Sequence, residues 1–333
     1  MKVRAFVVAL IVLTSQWLMV SAQSQKDLFE FLQPTVQFSV DEKRQLAQRN
    51  VIVKILPASG PELAAVAATA LNIGPDVFVG KIRNIAQLKK STKVPEIGRF
   101  SSPPSIDDLQ QLTLDEVDLS TIDRCQPDRC SLKFNGTEIE QLKRAAGTSA
   151  VDQKDAVERE FRQILLARTK RFLEHGPEDT KSQFQTLLQH SPFVLRAPKL
   201  ANYVEQYPKV AWPGAETFLY WSKETYAWKP MITVTHVTIL RGTGDSALPE
   251  VLVISRDIFA SRYTGGSLVL ASLIRDPSAD AKQRYLVYVN RTWVDGVRAL
   301  WRPFVEYRVK AQAKKVFTAA RDRFETTGPM TTE

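Results

Sequence analysis

Along the C-terminal half of the chain the spacing of apolar side chains changes once, near residue 230. Before it, Val157, Phe161, Ile164, Leu165 and Phe172 recur at helical spacing, and Gly176-Pro177 stops the run. Phe184, Leu187 and Leu188 mark a second helix; Leu200, Tyr203, Val204 and Tyr207 mark a third that ends at Pro208. Beyond it the β-rich runs Met231–Leu240, Val251–Phe259, Ser267–Ile274 and Tyr285–Val289 are separated by turn signals, among them Arg241–Asp245 and Asp276-Pro277-Ser278. Four consecutive strands with short connections predict an antiparallel meander. A last helix is predicted from Pro303, with Val305, Val309, Ala313, Val316 and Ala320 as one stripe laid across the sheet.

The N-terminal half is less regular. Residues 26–50 predict short helices, with Ser39 as N-cap and Glu42 three positions on. Val51–Leu56 is β-branched and predicts a strand, while residues 61–72 suit helix or buried strand equally. Pro75 leads a predicted helix to Lys90, and residues 91–123 are loop-rich. A strand over Ser131–Phe134 and a helix from Thr137, with Glu140 three residues on, follow. Ala145–Lys154 is small and polar and predicts a linker. The expected fold is therefore α+β: helices, then a four-stranded antiparallel sheet packed against a long C-terminal helix, plus a smaller mixed N-terminal lobe. The expected divisions are 1–22, 23–144, 145–154, 155–326 and a flexible tail over 327–333.

Residues 1–22 have the order of a secretory signal peptide: Lys2 and Arg4, an apolar run over Ala5–Leu13, then small residues to Ala22. Cleavage after Ala22 would send the mature chain to the periplasm or the exterior. Removing Lys2 and Arg4 would lower the formal charge from +9 to +7. A hydrophobic fraction of 44% excludes global disorder. The excess charge lies between Arg284 and Arg323, where ten basic residues face three acidic ones. Arg308, Lys310, Lys314 and Lys315 read either as a solvated helix face or as contacts to an anionic membrane surface. Nucleic acid is not an expected partner, since export removes it and no binding motif is present. The two cysteines, Cys125 and Cys130, flank Pro127 and Asp128 in a turn-forming segment and predict a structural disulfide in an oxidising compartment.

Five stretches, CQPDRCSLKF (125–134), YWSKE (220–224), KPMITVTHV (229–237), FASRYTGGSLVLASL (259–273) and YLVYVNR (285–291), together resemble a family of exported bacterial envelope proteins that has no settled activity. The resemblance runs over most of the mature chain and implies an address in the bacterial envelope, with no chemistry attached.

The chemistry-bearing residues are sparse. There is no nucleophile elbow, HExxH or phosphate loop. Metal-ligand spacing is absent too, so no catalytic residue, cofactor or metal is assigned. His175 and His190 fall at helix ends, where a cation suits the dipole. His236 interrupts a threonine-rich strand and reads as a cross-strand residue or as a polar group in a pocket. Arg256, Asp257 and Arg262 bracket a strand end, as a structural ion pair or a site. Asp107-Asp108 and Asp115-Glu116 are loop carboxylates. The crowd Trp212, Phe218, Tyr220, Trp221, Tyr226 and Trp228 reads as a hydrophobic plug or as the lining of an apolar cavity. Trp221, Trp228, His236 and Tyr263 are the candidate pocket residues. Three roles follow: a non-catalytic envelope protein holding an apolar small molecule or lipid between the aromatic segment, the sheet and the last helix; a hydrolase built around His236 with Asp257 or Tyr263; or a structural module with a protein partner.

Overall fold

The computed structural model describes residues 27–127, 129–147, 153–177, 181–225, 229–242, 248–277, 283–297 and 299–326. Its centre is one antiparallel sheet of eight strands: β1 Ile52–Ile55, β2 Glu62–Leu71, β3 Glu96–Arg99, β4 Glu216–Glu224, β5 Met231–Arg241, β6 Val251–Ala260, β7 Thr264–Arg275 and β8 Arg284–Val294. Their order is β1-β2-β8-β7-β6-β5-β4-β3.

This corrects the expected four-stranded sheet and separate N-terminal lobe. The meander β5–β8 is present, but its two outer strands are not edges. β2 pairs along the whole of β8, from Glu62 opposite Trp293 to Leu71 opposite Arg284, and β4 pairs along β5. The N-terminal segment thus supplies strands at both ends of the sheet. The ambiguous run over 61–72 is a strand because both of its faces are covered, which suits continuous small apolar residues over alternation. β4 is the aromatic segment itself; its side chains are buried on both sides from Phe218 to Lys223. Ser131–Phe134 is not a strand, and the expected linker is split: Ala145 and Ala146 end a helix, Gln153 begins another, and 148–152 lie outside the described residues. The signal-peptide segment and the 327–333 tail also lie outside them.

Ten helices clothe the sheet among the described residues: α1 Val40–Ala47, α2 Pro75–Arg83, α3 Ile85–Lys89, α4 Glu116–Leu119, α5 Gly136–Ala146, α6 Gln153–His175, α7 Lys181–Gln189, α8 Phe193–Arg196, α9 Pro198–Gln206 and α10 Arg302–Glu325. α1 carries the expected capping box, Ser39 with Glu42; that of α5 is Asn135 with Glu138, two residues before the expected pair. Residues opposite one another in a ladder share a face. The row Ala68, Val287, Ser272, Leu252 and Leu240 looks onto α1 and α7–α9. Farther along the same face, Trp221, Val234 and Phe259 pack under α5 and α6. The row Ala67, Tyr288, Ala271, Val253 and Ile239 looks the other way, onto α2, α3 and the C-terminal half of α10.

α10 does lie on the sheet, with Val305, Val309, Ala313 and Ala320 of the predicted stripe half-buried. Phe317 and Phe324 are its buried anchors, with Phe324 stacked on Phe78 of α2, whereas Val316 is exposed. Its start is fixed by Arg302, whose guanidinium donates to the carbonyls of Gly60 and Glu62. Cys125 and Cys130 form the expected disulfide, with Cα atoms 4.5 Å apart.

Candidate functional site

On the face under α10 one register is polar across several strands. Following the ladder pairs from β8 to β4, the row runs Thr292, Ser267, Asp257, Thr235 and Tyr220. A bulge between Val234 and Thr235 brings Asp257 opposite Thr235. Thr235 donates to one Asp257 oxygen at 2.7 Å and Ser267 to the other at 2.5 Å. At the β4 end Lys89, the last residue of α3, donates to Glu224 at 2.8 Å and to the Tyr220 hydroxyl at 3.2 Å. Ser222 also donates to Glu224.

These groups are deep without being sealed. Lys89, Asp257, Tyr288 and Asn290 all keep accessible surface. Burial is nevertheless the leading influence on Asp257 and Tyr288, raising both pKa values; the Glu224 charge adds to the rise at each, while the two hydroxyl donors oppose it at Asp257. At Glu224 burial works upward, but Lys89 outweighs it and holds the carboxyl below its ordinary range.

Next to the polar row, between β2, β8 and the N-terminal half of α10, lies a cavity of about 260 Å³, open on one side. Leu63, Ala65 and Ala67 of β2 and Tyr288, Asn290, Thr292 and Val294 of β8 form its floor; Glu306, Val309 and Ala313 of α10 form its roof. The cause is compositional: the alanines of β2 and Ala313 have nothing with which to fill the gap between helix and sheet. Tyr288 belongs both to this cavity and to the electrostatic neighbourhood of Lys89, Glu224 and Asp257, so it joins the apolar space to the polar row.

The four expected pocket residues are not brought together around this space. Trp221 is 1% exposed on the opposite face and donates from Nε1 to the Asp108 carbonyl at 2.7 Å. Trp228 lies outside the described residues. Tyr263 sits in the β6–β7 turn, where its hydroxyl accepts from the Lys229 backbone N–H at 3.0 Å. His236 is buried between Tyr207 and Phe172, with ring centroids 4.3 and 5.2 Å away. Trp212, too, packs on the α7–α9 side. Trp212 and Trp221 thus pack on the face away from the cavity, Phe218 and Tyr220 are buried on the side of α2, α3 and α10 without lining it, and Tyr226, like Trp228, lies outside the described residues.

A His236–Asp257 pair is excluded by alternation. His236 is opposite Arg256, and Asp257, one residue on, is opposite Thr235 on the far face. Arg262 instead pairs with buried Asp118. His190 bonds Glu62 at 2.6 Å.

Burial first, and the Arg256 charge second, lower the His236 pKa to about 3. The unfolded chain, with its histidine near ~6.5, then binds more protons at every pH between those values. The stability from keeping His236 neutral is full above pH ~6.5 and is lost as pH falls toward 3. In halide-free buffer, lowering pH from ~6.5 to ~4.5 should remove about 2–3 kcal/mol through this residue alone. Urea unfolding of His236→Phe at both pH values should show a correspondingly shallower loss; equal losses in variant and parent would rule the account out.

The basic candidates Arg308, Lys310, Lys314 and Lys315 are all exposed on α10. Toward the start of the helix lies an apolar surface outside the predicted stripe: Leu300, Trp301, Phe304 and Tyr307 are 85, 61, 57 and 73% exposed.

No protein-family model, curated protein or solved structure matches this chain. Among the described residues, no cluster of His, Cys, Asp or Glu is arranged to hold a metal, and no helix is long and apolar enough to cross a membrane.

Proposed function

We propose that the protein is an exported envelope component that binds an apolar or amphipathic small molecule of lipid type in the cleft beneath α10. The observation that carries this reading is the open cavity of about 260 Å³ with mainly apolar walls and the polar groups of Tyr288, Asn290 and Thr292 on its floor. Its size falls near the lower end of the roughly 300–1,000 Å³ usual for ligand sites, and few polar groups among apolar walls is their usual composition. The apolar part would enter between Ala65, Ala67 and Val309, and Tyr288, Asn290 and Thr292 would orient a polar head. The disulfide and the resemblance to exported proteins support the address.

Filling the space tests the reading. Ala65→Trp should weaken binding of a fluorescent long-chain fatty acid at least ~10-fold, about 1.4 kcal/mol. The same change at Val40, which is 87% exposed, should leave binding intact. Unchanged affinity in folded Ala65→Trp would refute the site.

The outer surface of α10 suits a membrane on which such a ligand is exchanged. Trp301, Phe304 and Tyr307 are the side chains that settle at a bilayer interface, and the neighbouring lysines and arginine complement anionic head groups. The protein should float with vesicles containing phosphatidylglycerol and not with phosphatidylcholine alone, and Lys310→Glu/Lys314→Glu should reduce flotation several-fold. Flotation indifferent to lipid charge and to salt would count against docking.

A further inference from the structure

Four buried arginines lie in or beside the sheet, and one is unlike the rest. Arg262 holds Asp118, Arg284 holds Glu250 and Arg291 holds Glu62. Arg256, 4% exposed on β6, forms no ion pair among the described residues. Its guanidinium carbon lies 3.3 Å from the centre of the Phe184 ring, which covers one side of the group. Neither Nη1 nor Nη2 has a hydrogen-bonding partner among the described residues, and the same is true of the neighbouring His236 Nε2. Glu205 influences the guanidinium only at a distance, with one carboxylate oxygen engaged by Gln185 at 2.7 Å.

These groups converge on one small void. It measures about 10 Å³ and is bounded by Phe172, Tyr203, Tyr207, His236, Thr238 and Arg256, among others. That is space for a single particle of about water size. A guanidinium removed from water without a counter-charge is strongly unfavourable, whereas one N–H···anion contact in a low-dielectric site is favourable. Water would satisfy the N–H groups but leave the charge uncompensated. We infer that the Arg256–His236 void is a binding site for a small monovalent inorganic anion of halide type, held by Arg256 Nη1 and Nη2 and capped by His236. His236 contributes as the neutral tautomer that carries hydrogen on Nε2, and the Phe184 and Tyr207 rings keep the void dry. The site is on the opposite face from the cleft beneath α10 and stands independently of the ligand proposed there.

Chloride and bromide are the probes, with gluconate as a bulky control at equal ionic strength. Binding to the folded state alone raises the melting temperature with anion concentration. The melting temperature should climb by several degrees between 1 and 200 mM NaCl or NaBr, and it should not move over the same range of sodium gluconate. Arg256→Met should abolish the difference between the salts. Equal responses to chloride and gluconate in the parent protein would overturn the proposal and leave a water in the void. The parent comparison decides the matter even if Arg256→Met fails to fold. A crystal grown from NaBr supplies a second decision: an anomalous peak between Arg256 and His236 supports the site, and none at full bromide occupancy elsewhere overturns it.

Discussion

Glu62→Gln should lower the unfolding free energy by about 3–5 kcal/mol, the range for removing one partner of a buried ion pair. Glu62 is 1% exposed at the start of β2 and takes Arg291 of β8 on one oxygen and His190, just past the end of α7, on the other. The amide cannot neutralise Arg291, whose side chain is 3% exposed. It would remain a buried charge between a strand and the helix layer. Removing both charges is a different perturbation. Glu62→Leu/Arg291→Met should lie within about 1–2 kcal/mol of the parent, because no uncompensated ion is left. Urea unfolding of the three proteins checks the pattern; a single variant no less stable than the double one would show that the pair does not carry this load. The experiment also tests how α10 is held, since Arg302 anchors on the backbone of Gly60 and Glu62.

Trp221→Ala should be comparably damaging, about 3–5 kcal/mol for loss of a large buried aromatic. The indole is enclosed by the α5–α6 core cluster and ties β4 to the 105–109 turn through Asp108. It also explains a glycine. A Cβ on Gly98 of β3 would fall 2.6–2.9 Å from three indole atoms, so the ring occupies the place of the missing side chain. Gly98→Ala should therefore cost about 1–3 kcal/mol in the parent and much less in the Trp221→Ala background, where the alanine enters the space left by the indole. Equal costs in both backgrounds would show that the close approach is relieved some other way. This places Trp221 in the framework and out of the ligand site for which its sequence neighbourhood made it a candidate.

The meander and the last helix were legible because their signals are local. Period-two runs, turn residues and a proline at a helix start act within ten or so positions. The outer strands were not legible for the opposite reason. Glu62–Leu71 becomes a strand through pairing with β8, more than two hundred residues away, and its alanines favour helix in isolation. The aromatic segment was visible as a cluster, but aromatic residues fill cores and cavities alike, and only the sheet decides which side each one takes. The polar row had a trace in the sequence. Tyr288, Asn290 and Thr292 alternate with Val287, Val289 and Arg291, which marks one polar face of a strand. Lys89, Glu224 and Asp257 gave no such trace, because a helix end, an outer strand and a bulge bring them together. His236 and Asp257, offered together as a possible constellation, sit on opposite faces because a one-residue offset in register separates them.

The central claim is that the cleft beneath α10 holds an apolar or amphipathic molecule, and native mass spectrometry of the full chain from its native source tests it most directly. The account predicts a stoichiometric non-covalent adduct that organic extraction removes, and that Ala65→Trp prepared in parallel lacks. A parent protein whose mass equals that of its polypeptide, and which takes up no long-chain lipid when incubated with one, would contradict it.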